Sequence, residues 1–196
     1  MSTIETTIPP GALGLLDDLK MDQFPHLHGS ARDHLVGVHG LLKSWVNPSH
    51  VCMGGLFHNI YGTEVFKPKA VSLDQRTHIA QIIGVEAEEL AFLFCVTKRI
   101  GFFDKHADPG RPLLWDEVNK TTIVTTEKRL AALIEIEVAN GIEQYAPDMP
   151  LPAAQLVSIL QMAEWMRDQA GNRLSAGAAH ALYGLIDSVR QRVTCK

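Results

Sequence analysis

Six of the nine histidines, His26, His28, His34, His39, His50 and His58, fall between positions 26 and 58. Imidazoles at this density offer proton transfer near neutral pH, metal ligation, or both. Helical geometry sorts them. Leu35, Val38, Leu42 and Trp45 recur at helical spacing and predict a helix over Ser30–Trp45. His34 stands at the edge of that apolar face, one turn before Val38. His39 is five residues on, about 140° around the helix from His34, so one helix cannot direct both at a common ligand. Asn47-Pro48 breaks the pattern, and a second helix is expected over Ser49–Ile60, with Val51, Gly55 and His58 on one side. Gly54-Gly55 removes two side chains there and lets another helix approach closely. His34 and His58 are therefore the pair that antiparallel packing brings together.

The elements that must position this pair read as helices nearly throughout. Residues 1–29 form an irregular lead-in with Pro9, Pro10 and Pro25, holding a short helix around Leu13–Lys20. Further helices are expected over Asp74–Ile83, stopped by Gly84, over Val85–Thr97, and over Thr126–Tyr145. Between the last two, residues 98–125 carry Gly101, Pro109, Gly110 and Pro112 without a sustained period, and read as a long functional loop. After Pro147, Pro150 and Pro152, residues 152–194 form a helical hairpin turning near Gly171-Asn172. No segment alternates as a strand should. The expected class is all-α, with one helical domain over 30–196. In the long helix Leu133, Ile136, Asn140 and Glu143 share a stripe, so Asn140 is buried and its amide needs partners. Glu137 and Glu143 read as solvated helix glutamates, and Lys98, Arg99, Lys105 and His106 as solvated surface.

Composition narrows the function. The chain has 196 residues, 46% apolar and 20% charged, with a net charge of −4. That suits one domain with its own core and excludes wholesale disorder. No apolar run approaches the roughly 20 residues of a membrane span, and the first residues lack signal-peptide form. Cys52, Cys95 and Cys195 are too scattered for a disulfide framework or a cysteine zinc site, which suits a cytoplasmic protein. A pI near 6.1 without a basic cluster speaks against nucleic acid. Nor is there an H-E-x-x-H, C-x-x-C, G-x-S-x-G, Walker A or G-x-G-x-x-G motif. The expected partner is a small-molecule substrate or ligand, with neither nucleic acid nor membrane, and the oligomeric state stays open.

The stretch DHLVGVHGLLKSWVNPSHVCMGGLFHNIYGTE resembles the first two core helices of the HD-domain superfamily of metal-dependent phosphohydrolases. LDQRTHIAQIIGVEAEELAFLFCVTK and EKRLAALIEIEVANGIEQ are similar to the segments that follow in stringent-response alarmone hydrolases. The closest pattern is that of an uncharacterised stand-alone HD-like family. The resemblance covers residues 30–145 and implies an HD-like helical bundle with a divalent metal (Mn, Fe or Zn) on His34 and His58. Asn59 and Asn140 stand where the superfamily has aspartates, so the implied ligand set has lost its two negative charges and holds a hard cation more weakly. Glu64, Glu137, Glu143 and Asp104 are carboxylates available to compensate. By the same resemblance Glu64 is the proton acceptor; Tyr61 is expected to hydrogen-bond the substrate, and His28, Asn59 and Asn140 to contact it. The expected function is a metal-dependent hydrolase acting on a small, phosphorylated metabolite. One alternative is a metal-free binding protein or acid–base catalyst using the same pocket. Another is an HD-domain iron oxygenase, invited by the surplus histidines His28, His39 and His106.

Overall fold

Ser30 and Asp33 start the helix that carries the first site histidine. Ser30 Oγ accepts the Asp33 backbone N–H at 3.2 Å, and the Asp33 carboxylate accepts the Ser30 N–H at 3.0 Å, a reciprocal cap. The computed structural model describes residues 8–26, 29–63, 67–104, 108, 110–145 and 150–194. Among them run eight α-helices: α1 (Pro10–Asp18), α2 (Ala31–Ser44), α3 (Ser49–Leu56), α4 (Arg76–Ile83), α5 (Val85–Val96), α6 (Glu127–Glu143), α7 (Ala153–Ala170) and α8 (Ala176–Thr194). The fold is all-α. No helix among the described residues is long and apolar enough to cross a membrane.

Helix α2 runs between two apolar clusters and contributes to both. Val38 and Leu42 face Phe94 of α5, Leu133 of α6 and Ile186 of α8, whereas Leu35 joins Leu16, Leu56, Phe57 and Ile79. The lead-in is therefore part of the core: α1 buries Leu15 and Leu16, and Met21 after it is fully buried. Helix α3 sits between α2 and α5 because of its glycines. A methyl group on Gly54 would lie 2.9 Å from Leu90 Cβ, and one on Gly55 would lie 2.3 Å from Leu42 Cδ1.

Two expectations need correction. The helix expected to reach Ile60 ends at Leu56, and the chain continues in tight turns through Tyr61. The Phe57, His58 and Ile60 amides bond three residues back, and the His58 ring also takes the Gly55 carbonyl, which a continuing α-helix would need for itself. The long loop also holds structure. Arg99–Phe103 is a 3-10 turn, and β3 (Leu113–Asp116) pairs antiparallel with β4 (Thr121–Val124), a shorter pair, β1 (Pro25–His26) with β2 (Gly29–Ser30), lying earlier. The hairpin escapes a period-two search because its outward positions are apolar: Leu113, Trp115 and Val124 are about half exposed, while inward-facing Asp116 is polar. Asp116 instead accepts the Val118 and Asn119 N–H groups and folds the turn.

The C-terminal hairpin is tied down by a buried carboxylate. Glu135 of α6 accepts the Ser175 backbone N–H and hydroxyl from the α7–α8 turn, and Asn47 Nδ2 at 2.8 Å from the α2–α3 turn. Gly177 permits the contact, because a Cβ there would lie 2.8 Å from the Trp45 backbone. Truncating Glu135 strands these donors. Glu135→Ala should lower the unfolding free energy by about 2–4 kcal/mol in urea titrations, with Glu135→Gln losing clearly less.

Candidate functional site

The structure brings His34 and His58 together, their Nε2 atoms 3.4 Å apart. His34 sits in the first turn of α2, fixed by the Ser30–Asp33 cap, and His58 in the turn after α3. That turn is clamped from α5, where the Cys95 thiol donates to the His58 carbonyl at 3.1 Å. Burial pushes the Cys95 thiol up to about 12, so it stays protonated and able to donate. Both rings are buried, and each has its outer nitrogen engaged. His58 Nδ1 donates to the Gly55 carbonyl at 2.7 Å, and His34 Nδ1 to the Glu143 carboxylate of α6. Gly37 makes the second bond accessible, because a Cβ at that position of α2 would lie 2.8 Å from Glu143 Cγ. With both Nδ1 atoms donating, the two Nε2 atoms face one another within hydrogen-bond reach, and the His58 ring turns its Nε2 lone pair towards His34. Burial, and then the neighbouring His34, hold the His58 imidazole far below its ordinary range, so it is neutral.

The pair forms one wall of a cavity of about 480 Å³. His26 of β1 stacks on His34 with ring centroids 4.1 Å apart, and Phe94 of α5 meets His58 edge-on at 5.0 Å. Asn59, Thr63, Arg99, Asn140 and Gln144 supply the polar lining. Arg99 binds Glu137 at 3.1 Å, and Asn140 bridges Glu137 Oε2 and Gln144 Nε2. Burial raises the Glu137 carboxyl above the usual range against the pull of Arg99. Asn59 Oδ1 is buried and has no hydrogen-bond partner among the described residues.

These placements revise several expectations. Glu137 and Glu143 are not solvated: one pairs with Arg99, the other with His34. Arg99 is not open surface; its side chain is 18% exposed and faces the cavity. Tyr61 does not line the cavity. Its hydroxyl donates to Glu88 at 2.8 Å, and Arg76 grips the same carboxylate at 2.7 and 2.8 Å, so the ring is anchored between α4 and α5. His39, on another side of α2, is buried away from the cavity, and His50 pairs with Glu86 at the surface. Glu64, His28, Lys105 and His106 lie outside the described residues. Sequence reasoning missed His26, Phe94 and Gln144 as lining residues. Glu143 shares a helical stripe with Asn140, but the glycine of α2 that it faces is set opposite it only by the packing of α2 on α6.

The donors fit a borderline transition-metal cation better than a hard one. Two imidazole nitrogens on one tetrahedral cation at about 2.0–2.1 Å lie about 3.3–3.4 Å apart, which matches the pair. Glu143 and the Gly55 carbonyl occupy the outer nitrogens as supporting acceptors do around metal-bound histidines. Asn59 Oδ1 is a third, neutral donor. Among the described residues, however, no three His, Cys, Asp or Glu side chains cluster around a metal position.

Residues 15–99 match a family described as a domain of unknown function (DUF6817). The match includes His26, His34, His58, Asn59, Phe94 and Arg99, and ends before the α6 residues of the cavity. No curated protein and no solved structure matches the chain.

His39 gives a test independent of the cavity. Its Nδ1 has no partner among the described residues, and burial, then Lys43 one turn on, lowers its pKa from 6.5 to about 4. The unfolded chain therefore takes up a proton that the folded one refuses. Stability contributed this way is complete above pH 6.5 and is lost as pH falls from 6.5 towards 4. Urea midpoints across that window should fall less steeply for His39→Gln than for the wild type, with His58 maintaining a residual slope.

Proposed function

We propose that the protein is a small-molecule hydrolase of HD-like type, with its reacting centre at the His34–His58 pair and a divalent transition metal as cofactor. The observation that carries this reading is the approach of two buried imidazole Nε2 atoms to 3.4 Å, each ring having its Nδ1 committed to an oxygen acceptor. Two bare acceptors at this separation repel one another unless a cation or a donated proton lies between them. His34, His58 and Asn59 would hold the metal. When bound it would supply Lewis-acid activation of water and polarisation of a phosphoryl oxygen.

The chain's own residues do the rest. Glu143 and the Gly55 carbonyl fix the tautomers, with the two Nε2 atoms facing one another. Arg99 has guanidinium N–H groups beyond the one given to Glu137, and orients an anionic group against the Phe94 wall. Thr63, Asn140 and Gln144 complete a polar lining that suits a small phosphorylated metabolite. Hydrolysis of such a monoester adds a water oxygen to phosphorus, breaks the P–O bond to the leaving alcohol, and leaves that alcohol with a proton. Glu64, next in sequence to the wall residue Thr63, is our candidate for accepting the proton of the attacking water.

A second reading follows from the neutral donor set. Without metal, Glu143, His34 and His58 form a carboxylate–imidazole–imidazole chain able to move a proton unaided. Titration with Co(II), followed by calorimetry and visible absorption, separates the two. The metal reading expects one cation per chain, loss of binding in His58→Ala, and about tenfold tighter binding in Asn59→Asp, which restores a charged ligand. A wild type that binds no Co(II), while Asn59→Asp with Asn140→Asp does, would decide for the metal-free catalyst.

A further inference from the structure

Helix α6 has a second cavity on its other side. Glu137, Asn140 and Gln144 look towards the histidines, while Val138, Gly141, Ile142 and Tyr145 line a separate space of about 440 Å³ against α7 and α8. The C-terminal hairpin creates it by packing α7 chiefly on α8, and Gly141 keeps it open, since a Cβ there would meet nothing within 4 Å. The cavity is open on one side, and its volume is that of small-molecule sites.

Its chemistry is graded along its length. α7 runs back from the C-terminal end of α6, so Gln144, Tyr145, Gln155 and Ser158 gather at one end. Gln155 and Ser158 are exposed there, marking the mouth. At the other end Val138, Met166 and Leu182 are buried and wholly apolar. Met162, 51% exposed, lies between, and its thioether, like that of Met166, adapts to the shape of an apolar guest. At the mouth Gln144 belongs to both cavities: it lines this one, and its amide donates to Asn140 in the wall of the other.

We infer that this cavity takes the aliphatic chain of a small amphiphile whose anionic head lies beyond Gln144, on the histidine side. Polar groups crowd the end that shares Gln144 with the histidine cavity, and buried hydrocarbon lines the other end. That the amphiphile is the substrate rests on the proposed function; that the cavity binds its chain does not.

Calorimetry on the full chain with matched probes tests both parts: ethyl against octyl phosphate, and acetate against octanoate, below micelle concentrations. The eight-carbon probe of each pair should bind at least tenfold tighter than its short counterpart. Met162→Glu places a charge in the wall at an exposed position, and Gly141→Leu fills the open space. Either should cut the octyl-to-ethyl ratio to within twofold of unity while leaving ethyl phosphate binding unchanged. Ratios near one in the wild type, or ratios that survive both substitutions, would overturn the inference. His58→Ala should keep the chain-length ratio and lose phosphate release from octyl phosphate. A tail advantage without phosphate release in the wild type would instead uphold the apolar site and reject the hydrolase reading.

Discussion

Two buried imidazoles face one another with their Nε2 atoms 3.4 Å apart and each outer Nδ1–H given to an oxygen, and the site is organised around that constraint. An uncompensated pair of acceptors in a poorly solvated wall is unfavourable. Local structure supplies the commitment that creates the problem. The turn after α3 delivers the Gly55 carbonyl to His58, and Gly37 leaves the gap through which Glu143 reaches His34. A proton shared between the two Nε2 atoms, or a cation between them, removes that cost. The cavity is in this sense prepared for an electron-pair acceptor.

Preparation requires the surrounding elements to hold still. The cap at Ser30 and Asp33 sets the first turn of α2 and so the position of His34. Gly54 and Gly55 let α3 lie between α2 and α5, which brings the following turn beneath Phe94. The Cys95 thiol and the Glu88–Tyr61–Arg76 cluster fasten that turn from α4 and α5. Tyr61 thus serves the site as an anchor. Its phenol is committed to a buried carboxylate, and burial together with that carboxylate raises its pKa and keeps it protonated.

Helix α6 does several things at once because its faces differ. One face carries Glu137, Asn140 and Glu143 to the histidine cavity, another lines the apolar cavity, and Glu135 clasps the α7–α8 turn. The charge balance at the site also runs through it. His58, Asn59 and Asn140 are neutral, the Asn140 amide being spent on Glu137 and Gln144, and the charged groups are paired off, Glu137 with Arg99 and Glu143 against the outer side of His34. Carboxylates therefore stand around the His34–His58 pair rather than at its Nε2 atoms, an arrangement poorer in charge than a hard cation needs.

Much of this was written in local pattern. Helical spacing of Leu35, Val38 and Leu42, the Asn47-Pro48 break and the paired glycines were enough to mark the helices and to single out His34 and His58, because periodicity and backbone restriction act over a few residues. Asn140 was legible for the same reason, lying on an apolar stripe. The partners of these residues were not. Glu143 and Glu137 look like any exposed helix glutamates until α2 and Arg99 are placed opposite them, and Tyr61 looks free until Glu88 arrives from 27 residues away. The β3–β4 hairpin was hidden because its outward face is apolar and its inward Asp116 serves a turn. The sequence by itself determined the order of the helices, their apolar stripes and the histidine pair. Only the tertiary structure decided which polar groups are neutralised, which lone pairs are left bare, and where apolar space remains, since burial and hydrogen-bond partnership depend on neighbours distant along the chain.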